Sequence, residues 1–288
     1  MTDFNSFSFD TFPTELLPKR HERSSKGDYG RILAVCGSSG MSGAAYLCAK
    51  AAYRTGAGLV EIFTPEDNRI ILQSTLPEAI VTAYNEENAI ELLATSLEKA
   101  DCVVCGCGLS VTPLSRKILS ALLHSIDTEK TPLILDADAL NLVSRNPSFL
   151  KYLKGAVVTP HALEFSRLTS RSVEDILSHP EAYAYEYAQK SSLICVLKDH
   201  NTVVSDGSKR LYINNTGNSG MSTAGSGDVL AGILSGLLAQ SRSASLDIAS
   251  LGVYIHGLCG DLAARHLSEY SLMASDIIDA LPLVFNSI

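Results

Sequence analysis

The segment RILAVCGSSGMSGAAYLCAKAAYRTGAGLVEIF, residues 31–63, decides the fold. Arg31 to Cys36 is a short aliphatic run, Gly37 to Gly43 is made almost wholly of small residues, and Ala44 to Thr55 has helical composition. Gly56 closes that helix, and Leu59 to Phe63 resumes as a strand. Looser copies of this strand–helix unit follow: Cys102 to Cys105 then Pro113 to His124; Leu133 to Leu135 then Leu140 to Val143; Ala156 to Thr159 then Glu164 to Leu168. Leu193 to Leu197 then leads into a further short run, Thr202 to Val204. Apolar strands without strict alternation, separated by helical segments, predict a mostly parallel sheet covered on both faces, an α/β fold. Beyond Asn214 the chain turns Gly- and Ser-rich, then helical. The first of three helices, Val229 to Gln240, is expected to place Val229, Leu230, Ile233, Leu234, Leu237 and Leu238 on one broad face. The second runs from Leu246 towards Leu267 and the third from Asp276 to Phe285, with Ser275 as its cap.

No fixed-period repeat and no mid-chain linker interrupt the 288 residues, so one domain over 26–288 is expected, preceded by an arm over 1–25 lying on the domain or on a neighbouring subunit. The 23 Lys and Arg against 31 Asp and Glu leave a net charge of −8, which excludes a phosphate-tracking nucleic-acid binder. The longest apolar runs, such as Val229 to Leu238, fall short of a bilayer span, and MTDFNSFSFD is read as neither a secretory nor a transit signal. A soluble, cytoplasmic protein is expected. Seven cysteines, an odd number, suit reduced thiols. Cys102 and Cys105 form a CxxC with Cys107 behind it, but no second pair follows, so these are read as structural cysteines rather than as a metal site.

The strongest chemical signal is Asn218-Ser-Gly-Met-Ser-Thr-Ala-Gly-Ser-Gly-Asp228, which runs straight into a helix. Its glycines let the backbone approach a ligand, and the helix start adds partial positive charge, so Gly225, Ser226 and Gly227 suit an anion hole for a transferring phosphoryl group. Asp228 stands beside that hole as the candidate base on an attacking hydroxyl, against the plainer reading of a helix cap. In VVTPHALE, residues 157–164, His161 would bind a polar substrate group. Glu164 would either position a magnesium-bound water or complete a capping box. Asp136 and Asp138 end another strand and are expected on one face of it, where two like charges require a compensating cation or hydrogen bonds. Gly37 to Gly43 and Cys105 to Leu109 would wall a ligand site, and Lys198-Asp-His-Asn-Thr202 could grip a nucleotide. His256 and Asp261 are read as belonging to a helix core or interface.

Together these motifs resemble the ribokinase-like superfamily, and within it the ADP/ATP-dependent NAD(P)H-hydrate dehydratases. GSSGMSGAAYLCAKAAYRTGAGLV, DADAL, VVTPHALEF, GNSGMSTAGSGDVLAGILSGLL and IHGLCGDLA carry the resemblance over roughly Lys26 to Leu283. It implies a three-layer α/β/α sandwich that restores hydrated NADH or NADPH (NADHX, NADPHX) in a metabolite-repair reaction: a nucleotide phosphorylates the added hydroxyl, and loss of phosphate returns the reduced cofactor. By motif, Ala44, Gly108, His161 and Asp228 would contact the hydrated dinucleotide. Lys198, Asp199, His200, Asn201, Thr202 and Gly227 would contact the nucleotide. The resemblance further implies Mg2+, ADP or ATP as donor, and a homotetramer. The epimerase often fused at the N-terminus of relatives is expected on a separate chain. Departures are Ser226 for the usual Thr, Ser219 for a Pro, HALE for HPGE, and GCGLS at 106–110 for GPGLG. The alternative is a small-molecule kinase of the same superfamily, of the hydroxymethylpyrimidine or hydroxyethylthiazole type.

Overall fold

The computed structural model describes residues 4–288, and the first three residues of the expected arm lie outside the described residues. Ten strands form one sheet: β1 (Asn5–Phe7), β2 (Arg31–Val35), β3 (Leu59–Pro65), β4 (Ile80–Tyr84), β5 (Cys102–Cys105), β6 (Leu133–Leu135), β7 (Val157–Val158), β8 (Ile194–Leu197), β9 (Val203–Ser205) and β10 (Arg210–Ile213). Their order is β1-β10-β9-β8-β7-β6-β5-β2-β3-β4. From β8 to β4 every neighbour is parallel; β9 and β10 turn back antiparallel. β1 belongs to the expected arm and adds itself parallel to β10, while Phe7 and Phe9 pack on Tyr212 of the same chain. Ordered structure thus begins well before Arg31.

Eleven α-helices are present among the described residues: α1 (Ser42–Arg54), α2 (Arg69–Thr75), α3 (Ala89–Leu97), α4 (Pro113–Ser125), α5 (Ala137–Arg145), α6 (Ala162–Thr169), α7 (Val173–Ser178), α8 (Pro180–Ser191), α9 (Ser226–Ser241), α10 (Leu246–Leu267) and α11 (Ala274–Asn286). The period of two along β2 splits its side chains between two cores. Ile32 and Ala34 meet α1, α9 and α10; Leu33 and Val35 meet the layer that contains α3, α4 and α8. Burial on both faces is why the inner strands carry unbroken aliphatic runs. No helix among the described residues is long and apolar enough to cross a membrane.

Three expectations need correction. α9 does not present one broad apolar face: Val229 to Ala239 are buried all round, because α11 packs outside α9 and α10 and closes a third core containing Ile233, Leu237 and Ile277. The last helix starts at Ala274 and is capped from Met273 and Asp276, not from Ser275. Asp136 and Asp138 do not share a strand face. β6 ends at Leu135, so Asp136 precedes α5 and Asp138 lies in its first turn.

Candidate functional site

The carboxyl ends of β2, β5, β6, β7 and β8 open toward the start of α9, the edge where ligands collect in a parallel sheet. The chain enters α9 through Gly225 at φ +91°, a conformation that L side chains rarely adopt. No side chain caps this helix. Its first-turn amides and the positive end of its dipole therefore face the crevice, ready for an anion. Leu47 sits so close that a Cβ on Gly225 would lie 2.5 Å from its Cδ1.

Asp228 is in the first turn of α9 and half-buried. Burial pushes its carboxyl up to about 9; Cys107 and the Asp136 charge push the same way, and Lys198 opposes them. Lys198 is the cation of the site. Its Nζ donates to Asp136 Oδ1 at 2.8 Å, and Thr159 Oγ1 donates to the same oxygen at 2.7 Å. Burial works against the Lys198 charge, but Asp136 and Glu164 outweigh it and hold its pKa above the ordinary value. A Cβ on Gly227 would come within 3.4 Å of Lys198 Nζ and 3.7 Å of Asp136 Oδ2, so the glycine lets this ammonium stand beside the helix start.

A cavity of about 870 Å³ brings together His161, Lys198 to Thr202, Ser226 and Gly227. Lys198 to Thr202 form the turn between β8 and β9, and Thr202 Oγ1 donates to the Asp199 carbonyl at 3.2 Å. His161 caps α6: its Nδ1 accepts from the Leu163 and Glu164 amides at 3.2 and 3.3 Å, while Glu164 Oε2 accepts from the His161 amide at 2.9 Å. The capping box expected as one reading of Glu164 is therefore formed. With Nδ1 accepting, the ring proton belongs on Nε2, 3.5 Å from Glu164 Oε1. His161 lies on the same cavity as Lys198, to which it is paired by an isolated parallel bridge.

Ala44 and Gly108 face each other: a Cβ on Gly108 would stand 2.8 Å from Ala44 Cβ. The altered segment keeps the backbone bend, with Gly106 at φ +127°, Gly108 at φ +62° and Ser110, in place of a glycine, at φ +63°. Asp138 accepts the Ser110 amide at 2.7 Å and steadies that conformation. Asp136 and Asp138 thus serve different partners, which is how each is satisfied.

Sequence reasoning missed two groups. His256 reaches the cavity, 3.3 Å from Ser226 Oγ; burial, with the Lys198 charge adding to it, drives its pKa down to about 4, so the imidazole is neutral. Asp261 accepts from the Gly217 amide at 2.9 Å and Asn218 Nδ2 at 3.0 Å, pinning the Gly-rich segment over the cavity. The pairing of Lys198 with Asp136 was also not anticipated, although each residue ends or follows a predicted strand on the same sheet edge.

Residues 32–283 match the NAD(P)H-hydrate dehydratase family. The chain belongs to that family. An ADP-dependent (S)-NAD(P)H-hydrate dehydratase from Enterococcus faecalis is 33% identical, over 93% of this chain and 88% of that protein. A bifunctional NAD(P)H-hydrate repair enzyme from Moorella thermoacetica is 38% identical over 94% of this chain but 52% of its own length. The chain spans about half the length of such bifunctional relatives. Among solved structures, an ADP/ATP-dependent NAD(P)H-hydrate dehydratase from Bacillus subtilis, co-crystallized with ATP/Mg2+, superposes with a TM-score of 0.79 at 30% identity over 94% of both chains.

Proposed function

We propose that this chain dehydrates the S-form of hydrated NADH or NADPH at the expense of ADP, giving the reduced cofactor, AMP and phosphate. One observation carries the reading: Asp228 sits in the uncapped first turn of α9, with Lys198 beside Gly227. The Gly225 to Gly227 backbone and Lys198 hold the transferring phosphoryl group, and Asp228 takes the proton of the substrate hydroxyl. A carboxyl held near 9 has high proton affinity, as a base on an alcohol requires. Positive charge from Lys198, and from a bound divalent cation, favours its ionised form. Once the phosphate ester has formed, its departure with the ring's electron push restores the reduced nicotinamide.

Magnesium, when bound, supplies charge to the phosphoryl oxygens. The donors suit it: Asp136 and Asp228 carboxylates converge near Cys107, and Asp136 Oδ2 remains beside Gly227. Glu164 would act on it through water. Within this proposal Lys198, Asp199, His200, Asn201 and Thr202 bind the nucleotide, as the shared cavity supports. Ala44, Gly108 and His161 bind the dinucleotide; contact between Ala44 and Gly108 supports the first two. The proposal includes a homotetramer working in the cytoplasm. An epimerase is the functional partner, a reading supported by relatives of about twice the length being named bifunctional.

The test mixes the purified chain with hydrated NADH, Mg2+ and either ADP or ATP, and follows reduced-nicotinamide absorbance together with phosphate release. Recovery with ADP supports the reading. A stable phosphorylated alcohol without cofactor recovery moves the chain to the small-molecule kinases.

A further inference from the structure

Three cysteines from three separate segments meet, and one of them, Cys107, lies next to Asp228. Cys36 follows β2, Cys48 is on α1 and Cys107 follows β5; all three have zero solvent exposure. Their sulfurs lie within 4.8 Å of one another, and Cys107 alone of the three belongs to a second cluster, its sulfur also within 4.8 Å of carboxylate oxygens of Asp136 and Asp228. The CxxC pair does not take part. Cys102 enters one core and Cys105 the other, as residues three apart on a strand must.

We propose that Cys36, Cys48 and Cys107, with the Asp228 carboxylate, form a site for a thiophilic divalent cation, Zn2+, and that filling it withdraws Asp228 from turnover. Tetrahedral zinc with Zn–S bonds of about 2.3 Å holds its sulfurs about 3.8 Å apart, so the trio needs to draw in by an ångström or less, and the Asp228 carboxylate, now beside Cys107, has to swing toward Cys36 and Cys48. Soft thiolates select Zn2+ over the hard Mg2+ used with nucleotides, which prefers oxygen ligands and water. The two cations therefore compete for one carboxylate, at the point where Cys107, Asp136 and Asp228 converge. Each thiol that binds, and the Asp228 carboxyl with it, gives up its proton to solvent. With Cys107 in the segment between Gly106 and Gly108, metal capture also tightens the wall that holds Gly108 against Ala44.

The inhibitory consequence rests on the catalytic reading of Asp228; the site itself does not. Cobalt(II) alone is the first probe, added to the reduced full chain. One equivalent should produce a thiolate-to-cobalt charge-transfer band, displaced by one equivalent of Zn2+. Cys48→Ala, on α1 and not among the residues assigned to turnover, should keep chelator-treated activity, weaken cobalt binding at least tenfold, and relieve zinc inhibition by the same factor. Cys259→Ala, in the separate core between α9, α10 and α11, should change neither. Absence of a thiolate band in the folded wild type overturns the site, as does a band unchanged in both Cys48→Ala and Cys36→Ala. A band that forms without zinc inhibition of an active enzyme overturns the regulatory role. If the chain shows no dehydratase activity at all, the cobalt titration still decides the site.

Discussion

Two carboxylates, Glu61 on β3 and Asp228 at the start of α9, are both withdrawn from water in the same domain, and their environments drive them in opposite directions. Burial would raise Glu61, but hydrogen bonds from Ser96, Arg31 and Thr82 outweigh it and hold the carboxyl below its ordinary value. Ser96 Oγ and Thr82 Oγ1 donate to it at 2.6 and 2.7 Å, and the Arg31 guanidinium pairs with its other oxygen. Asp228 has no such set; burial and two neighbouring acidic groups lift it to about 9. A carboxylate given three donors stabilises the fold. One left with a thiol and a competing carboxylate keeps its affinity for a proton, as a site for chemistry requires.

The sharpest way to break the contrast is to remove each carboxylate. Asp228→Ala should lower turnover about 10³-fold, within the range for loss of a general base, with nucleotide affinity unchanged within a few-fold by calorimetry. Residual activity within tenfold of wild type would remove Asp228 from that role. Glu61→Ala leaves Arg31 unpaired and should cost about 3 kcal/mol in urea unfolding, while the folded fraction retains its turnover. If that variant lost activity without losing stability, the division between the two residues would fail.

A smaller effect is expected at Lys198. Lys198→Met should weaken ADP binding about tenfold to a hundredfold, roughly 1.4 to 2.8 kcal/mol, with less effect on the dinucleotide. An unchanged ADP constant would take the ammonium out of the anion hole.

The smallest effect, and the finest test, is in the pH dependence of stability measured with chelator present. Asp228 has a native pKa above its unfolded value, so its contribution is complete below about 4 and is lost as pH rises toward about 9. Asp228→Asn should therefore melt above wild type, by a margin that widens between pH 5 and 9. Glu61 has the opposite sign: its contribution is present above the ordinary carboxyl range and disappears as pH falls through its lowered native value. The Glu61→Gln difference from wild type should accordingly shrink on acidification. Parallel pH profiles for the two variants would refute the contrast.

Periodicity and punctuation made much of the architecture readable. β2, α1 and β3 fall within two or three residues of their expected ends, and α10 is the expected span. β4 and β10 escaped because they lie at or near a half-solvated edge, where short mixed runs resemble loops. α8, PEAYAYEYAQKS, escaped because its alanines and tyrosines show no clear apolar stripe. In the site, Gly225 to Asp228 and Lys198 to Thr202 were legible because backbone freedom and residue type are local. His256 was not: only the position of Ser226 and the cavity shows that this helix residue meets the crevice.

By itself the sequence determined that this chain alternates strands and helices, that its strands run buried through a parallel sheet, and that a glycine-rich bend delivers an aspartate to a helix start. These follow from intrinsic φ freedom, side-chain period and helix-end chemistry, all properties of neighbouring residues. Tertiary structure decided that Lys198 reaches Asp136 across 62 positions, that three cysteines meet with Cys107 beside Asp228, and that this carboxyl's pKa is raised. Strand order sets which segments converge, and proton affinity depends on the solvent and charges that converge with them. Neither is encoded in spacing along the chain.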